Sequence, residues 1–151
     1  MKMRSSNIEE KNILEKHRVI AVIGCSRDPQ KPAHFVPAYL KEKGYTIVPV
    51  NPTASEILGE KAYPSLMDVP QPVADKVETV NVFRPREEAE QFVRQAIEFK
   101  QKLAPKLRVV WLQEGIFLKL EEAGAAEAAK QAGLILVENK CMKKEYERLF
   151  A

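Results

Sequence analysis

Gly24, Cys25, Ser26, Arg27 and Lys31 stand close together in "RVIAVIGCSRDPQKP", the stretch from Arg18 to Pro32. An apolar run ends in a glycine, and a thiol, a hydroxyl and basic side chains follow. Glycine lets a chain turn sharply and lets a ligand approach the backbone. A hydroxyl, cations and the first amides of a following helix together favour a phosphate. The later glycines of the dinucleotide fingerprint G-x-G-x-x-G are missing. The same residues also suit a tight strand-to-helix turn whose charges are merely solvated.

Further candidates follow other apolar runs: Asn51-Pro52, Phe83-Arg84, Gln113-Glu114-Gly115 and Asn139-Lys140-Cys141. NAD-binding folds carry an Asp or Glu after the second strand to hold the ribose hydroxyls. Here "VPVNP" places a neutral Asn51 between prolines. Nothing there repels a phosphate on the ribose, so a phosphorylated adenosine fits better than NAD. Arg84 or Lys61 would supply its cation. Phe83 suits either an adenine or pantetheine contact or the last core position of its strand. Trp111 reads as core, and Glu114 as a solvated rim carboxylate.

The elements that must position these residues alternate between strand and helix. Ser6-x-x-Glu9 fits a capping box, so a helix is expected from about Asn7 to Lys16. "RVIAVIG" is a short, nearly all-apolar run of the kind buried on both faces of a parallel sheet. "HFVPAYLKEKG" reads as a helix closed by Gly44, and "YTIVPV" as the second strand. "EKAYP" reads as a short strand and "SLMDV" as one helical turn. "ETVNVF", "RVVWLQ" and "LILVE" are strands; "PREEAEQFVRQAIEFKQKL", "LKLEEAGAAEAAKQAG" and "KKEYERLF" are helices.

This order predicts an α/β, Rossmann-like, doubly wound and mainly parallel sheet with helices on both faces. In the common strand order the first strand is central and lies beside the fourth. Ligands of such folds bind beyond the strand carboxyl ends, where the order reverses. The loops named above should therefore converge on one rim.

Composition narrows the function classes. A chain of 151 residues with 45% apolar and 30% charged residues reads as one globular domain, residues 1–151. A net charge of +3 without a dense basic tract argues against nucleic acid. No apolar run approaches the roughly 20 residues that span a bilayer. The polar start "MKMRSSNIEEKNILEKH" is no secretory signal, so a cytoplasmic location is expected. There Cys25 and Cys141 should be free thiols, and the sparse His and Cys residues show no zinc spacing.

"VIGCS…KP", "YTIVPVNP", "EILGEKAYPSL", "VNVFRP", "VVWLQEGI" and "NKCMKKEY", in that order, resemble the stand-alone CoA-binding domain proteins, the YccU-like family. These are similar to the N-terminal domain of the succinyl-CoA synthetase α subunit. The resemblance runs from about His17 to Leu149. It implies coenzyme A as ligand, with the diphosphate over Gly24 to Lys31 and the adenosine flanked by Val50, Asn51 and Pro52. Val82, Phe83 and Arg84 would line the central groove, and Gln113 and Gly115 would border the pantetheine path. Many relatives have Ala where this chain has Cys25.

That thiol and Cys141 would both lie near the ligand's rim. Helix amides and cations could lower the Cys25 pKa. Cys141, near Lys143 and Lys144, is the better candidate for a mixed disulfide with CoA. His17 and His34 have no catalytic partner in their motifs. The leading reading is a binder of CoA or an acyl-CoA without a catalytic constellation. The alternatives are an NADP-dependent oxidoreductase and a nucleotide-responsive regulatory subunit acting through protein contact.

Overall fold

The structure is a computed structural model and describes residues 5–150. The side chain of Ser6, the expected cap, lies outside the described residues. In chain order the elements are α1 (Ser5–Lys16), β1 (Val19–Ile23), α2 (Pro32–Glu42), β2 (Thr46–Val50), β3 (Glu56–Ile57) and β4 (Glu60–Lys61). There follow α3 (Gln71–Ala74), β5 (Thr79–Val82), α4 (Ala89–Lys102), β6 (Val109–Leu112), α5 (Ala123–Gln131), β7 (Ile135–Val137) and α6 (Met142–Phe150).

Five strands form one parallel sheet in the order β2-β1-β5-β6-β7. It is the doubly wound, Rossmann-like α/β architecture. Successive side chains of a strand point to opposite faces, and the burial follows that alternation. Ala21, Ile23, Val80, Val82, Val110 and Leu112 pack on α4 and α5 through Val93, Ala96, Phe99 and Ala129. Ile20, Val22, Val109 and Trp111 pack on α1, α2 and α6 through Leu14, Val36, Leu40 and Met142. Both faces are covered, which is why the strand sequences are continuously apolar rather than alternating.

Register sets the rim. Ile23 pairs with Val50 on one side and with Val82 on the other, and Val82 pairs with Leu112. The central strands therefore end level, and the residues after them emerge at one height.

Two sequence expectations change in detail. Helix α2 starts at Pro32 rather than His34, because proline suits the first helical turn. "EKAYP" does not join the main sheet as a full strand. Glu60–Lys61 folds back on Glu56–Ile57 as an antiparallel hairpin. Its tight turn holds Leu58 at φ 58° and Gly59 at φ 74°, the positive-φ pair of a two-residue hairpin loop. Tyr63 alone then bridges Val50 in parallel on the outer edge of β2. With that short segment counted third, the Thr79–Val82 strand is fourth and does lie beside the first.

Candidate functional site

The sheet order reverses between β1 and β5. The helix after β1 covers one face and the helix after β5 covers the other. Helices leaving a shared edge in opposite directions leave a crevice between them. Gly24 forms its floor. It has φ +82°, and a Cβ there would stand 2.4 Å from the Phe83 carbonyl oxygen and 3.0 Å from Arg84 Cδ. The loops after β1 and β5 can touch only because this residue has no side chain.

The first loop is held by its own hydrogen bonds. Ser26 Oγ accepts from the Asp28 amide at 3.0 Å, and Asp28 Oδ1 accepts from the Gln30 amide at 3.0 Å. His34 Nδ1 lies 2.7 Å from the Ser26 carbonyl oxygen. A carbonyl only accepts, so Nδ1 carries the proton and His34 pins the loop to the start of α2. Helix α2 has no side-chain cap; Pro32 carries no N–H and the His34 and Phe35 amides bond the Lys31 carbonyl, which leaves the Ala33 amide facing the groove. Arg27 and Lys31 are exposed and take part in none of the ion pairs among the described residues. His17 sits at the opposite, amino end of the sheet, 3.6 Å from Glu78.

Asn51 is committed within the protein. Its Nδ2 donates to the Cys25 carbonyl at 2.9 Å, and its Oδ1 accepts from the amides of Thr53 and Ala54 and from Thr53 Oγ1. It clamps the end of β2 to the first loop and shapes the rim. Gln113 is committed likewise. It donates to Asn81 Oδ1 at 2.7 Å and accepts from the Met142 amide at 3.3 Å, docking the start of α6 on the sheet. Asn81, wholly buried in β5, is the polar residue this network requires.

Two grooves occupy the crevice. The first, of about 630 Å³, is lined by Gly24, Cys25, Ser26, Lys31, Val50, Asn51, Pro52, Phe83 and Arg84, among others. The second, of about 400 Å³, is lined by Lys31, Phe83, Arg84, Gln113 and Cys141 together with Pro32, Val36 and Ile116. Lys31, Ala33, Phe83 and Arg84 border both, so the grooves join there. Arg27, Val82 and Gly115 line neither. Val82 is core, and Gly115 sits in the outer turn, its amide donating to Asn139 Oδ1 at 2.7 Å. Lys61 lines neither groove; it borders a depression along the outer edge of β2 with Thr46, Val48 and Tyr63.

Sequence reasoning missed the far wall of the first groove: Ser65, Leu66, Glu88, Gln91, Phe92 and Gln95. Glu88, Gln91, Phe92 and Gln95 recur at helical spacing, which puts them on one face at the start of α4. Glutamines interleaved with a Phe on that face were the available signal. Glu88 also holds Arg84 by a two-point contact, Nε to Oε1 at 3.2 Å and Nη2 to Oε2 at 3.0 Å.

The thiols differ. Cys25 is wholly buried. Burial pushes its thiol up to about 12, and a backbone hydrogen bond at Ser26 only partly opposes this. That reverses the expected lowering: desolvation outweighs amides and cations. Cys141 is half-buried beside the second groove. Its neighbour Lys144 is bound to Glu114 at 2.8 Å, and Lys143 lies 3.6 Å from Glu147.

Among the described residues no helix is long and apolar enough to cross a membrane, and no His, Cys, Asp and Glu cluster could hold a metal ion. The family described as "CoA binding domain" matches residues 18–147. The Bacillus subtilis protein YneT is 37% identical over 138 residues, which is 91% of this chain and 92% of that protein. An ADP-forming acetate–CoA ligase of Archaeoglobus fulgidus is 46% identical over 56 residues, 36% of this chain and 8% of the ligase. A solved structure from Pyrococcus horikoshii OT3 superposes with a TM-score of 0.82 at 35% identity, covering 100% of this chain and 99% of that one.

Proposed function

Because this chain belongs to the CoA-binding domain family, we propose that it binds coenzyme A or an acyl-CoA along the joined grooves. The observation that carries the reading is the junction at Lys31, Ala33, Phe83 and Arg84. It makes one bent trough from two unlike halves. The first half has Ser26, Lys31 and the start of α2 for a diphosphate, and Val50 and Pro52 for an adenosine. The second half is smaller, about 400 Å³, and largely apolar, suited to a pantetheine arm.

The residues present fit the group. Lys31 is an exposed cation without an ion pair among the described residues, and Arg84, paired with Glu88, packs beside Gly24 on the groove wall. Bound coenzyme A would supply a thiol able to carry acyl groups as thioesters. The chain's part is to bind and orient. Asn51 and His34 hold the first loop in shape, and Gln113 holds the α6 end against the sheet. The groove carboxylates Glu88 and Glu114 are engaged by Arg84 and Lys144, so we assign them no acid–base role.

Calorimetric titration with CoA, NADP and NAD tests the reading. It predicts saturable binding of CoA and weak or absent binding of both dinucleotides. NADP binding as tightly as CoA would favour the oxidoreductase alternative, and no binding of CoA would overturn the proposal.

A further inference from the structure

The second groove is unlike the first in what it offers a ligand. Beyond the shared mouth its walls are Pro32, Val36, Ile116 and Cys141. Its uncharged polar side chain, Gln113, is already used on both sides, by Asn81 and by the Met142 amide. Its one carboxylate, Glu114, is taken by Lys144 at 2.8 and 3.2 Å. The cations Lys31 and Arg84 stand at the mouth, where the two grooves meet. Beyond that mouth the side chains that line the groove are apolar or already paired.

Resting on the CoA reading above, we propose that the second groove is an acyl-binding subsite, selecting short aliphatic acyl thioesters of CoA over free CoA and over carboxylated acyl groups. The first groove holds the nucleotide common to all these ligands, and the pantetheine arm runs through the mouth into the second groove and brings the sulfur to its apolar wall. Discrimination then falls to whatever lies on the sulfur. An aliphatic chain gains by leaving water for the wall of Pro32, Ile116 and Cys141. Each buried methylene strengthens binding about fourfold. A terminal carboxylate loses its hydration there and finds no partner. Ile116 is the specificity residue, and Cys141 marks the wall beside the thioester.

Calorimetry with CoA, acetyl-CoA, butyryl-CoA and succinyl-CoA tests this on the unaltered protein. Butyryl-CoA should bind roughly fifteenfold more tightly than acetyl-CoA, from two further methylenes. Succinyl-CoA should bind no better than acetyl-CoA. In Ile116→Asn the ratio of butyryl-CoA to acetyl-CoA affinity should fall toward one, with a melting curve to confirm folding. If CoA binds but affinity is flat along the series, or succinyl-CoA gains as butyryl-CoA does, the subsite is refuted and the CoA reading stands. If neither CoA nor any thioester binds, both fail.

Discussion

Replacing Gly24 by alanine should cost stability and ligand affinity together, and by more than backbone strain alone. At φ +82° a left-handed conformation costs an L-residue about 1–2 kcal/mol. The new Cβ would also stand 2.4 Å from the Phe83 carbonyl oxygen. That neighbour is backbone and cannot swing away, so the ends of β1 and β5 must part. Forcing atoms into a packed position costs about 1–3 kcal/mol more. A middle value of about 3 kcal/mol lowers the melting temperature of a chain this size by about 6–12 °C. Gly115 is the internal control. It has φ +85° but nothing within 4 Å of its Cβ position, and it lines neither groove. Gly115→Ala should show the strain alone, about 2–8 °C, and leave CoA affinity intact. Thermal melts and CoA titrations of both variants decide the matter. Equal melting shifts and equal CoA affinities would refute the claim that Gly24 is fixed by contact between the two loops.

Lys31→Glu should weaken CoA binding about tenfold or more, since a hydrogen bond to a charged group contributes about 1.5–3 kcal/mol; calorimetry reads it, and unchanged affinity would place the diphosphate elsewhere. Alkylation of the native protein near neutral pH should label Cys141 and spare Cys25, whose thiol burial pushes up to about 12; a mass spectrum with both residues modified would contradict this. CoA disulfide should likewise leave its adduct on Cys141, by exchange that releases free CoA, and an adduct on Cys25 would overturn the placement of the arm. Glu10, buried in α1 against Lys140, Glu145 and Arg148, has a carboxyl pKa raised above its ordinary value of 4.5, first by burial and then by the hydrogen bond to Glu145. A raised folded-state pKa gives stability that is present below 4.5 and lost as pH rises through the folded value. The melting temperature of Glu10→Gln relative to the parent should therefore climb between about pH 4 and pH 7, and a difference that falls over this range would reverse the assignment.

The sheet was legible because burial on both faces writes itself as unbroken apolar runs, as in "VIAVI" and "VVWL". The convergence of the strand ends followed from the fold class, and the register of Ile23 with Val50 and Val82 gives it a geometric cause. Residue type was a poorer guide to role. Asn51 reads as a free donor and acceptor for a ligand, yet the turn after β2 uses its amide. Which partners a polar side chain finds depends on loops distant in sequence. The same holds for Gln113, whose partner Asn81 is hidden inside an apolar strand. The hairpin at Glu56 to Lys61 was not legible because Leu58 gives no sign of adopting positive φ, a conformation such residues seldom take. The wall formed by Gln91, Phe92 and Gln95 depends on where α4 lies over the crevice, and periodicity gives the face of a helix but not its placement.

The central claim is that coenzyme A lies across the carboxyl ends of β1 and β5, in the trough joined at Lys31 and Arg84. Amide chemical-shift mapping by NMR, with CoA titrated into the isotope-labelled protein, tests it most directly. The account predicts large, saturating shifts along Gly24 to Ala33, at Thr53, at Phe83 and Arg84, and at Cys141. Shifts confined to the depression around Thr46, Val48 and Lys61 along the outer edge of β2, with the first loop unmoved, would contradict it.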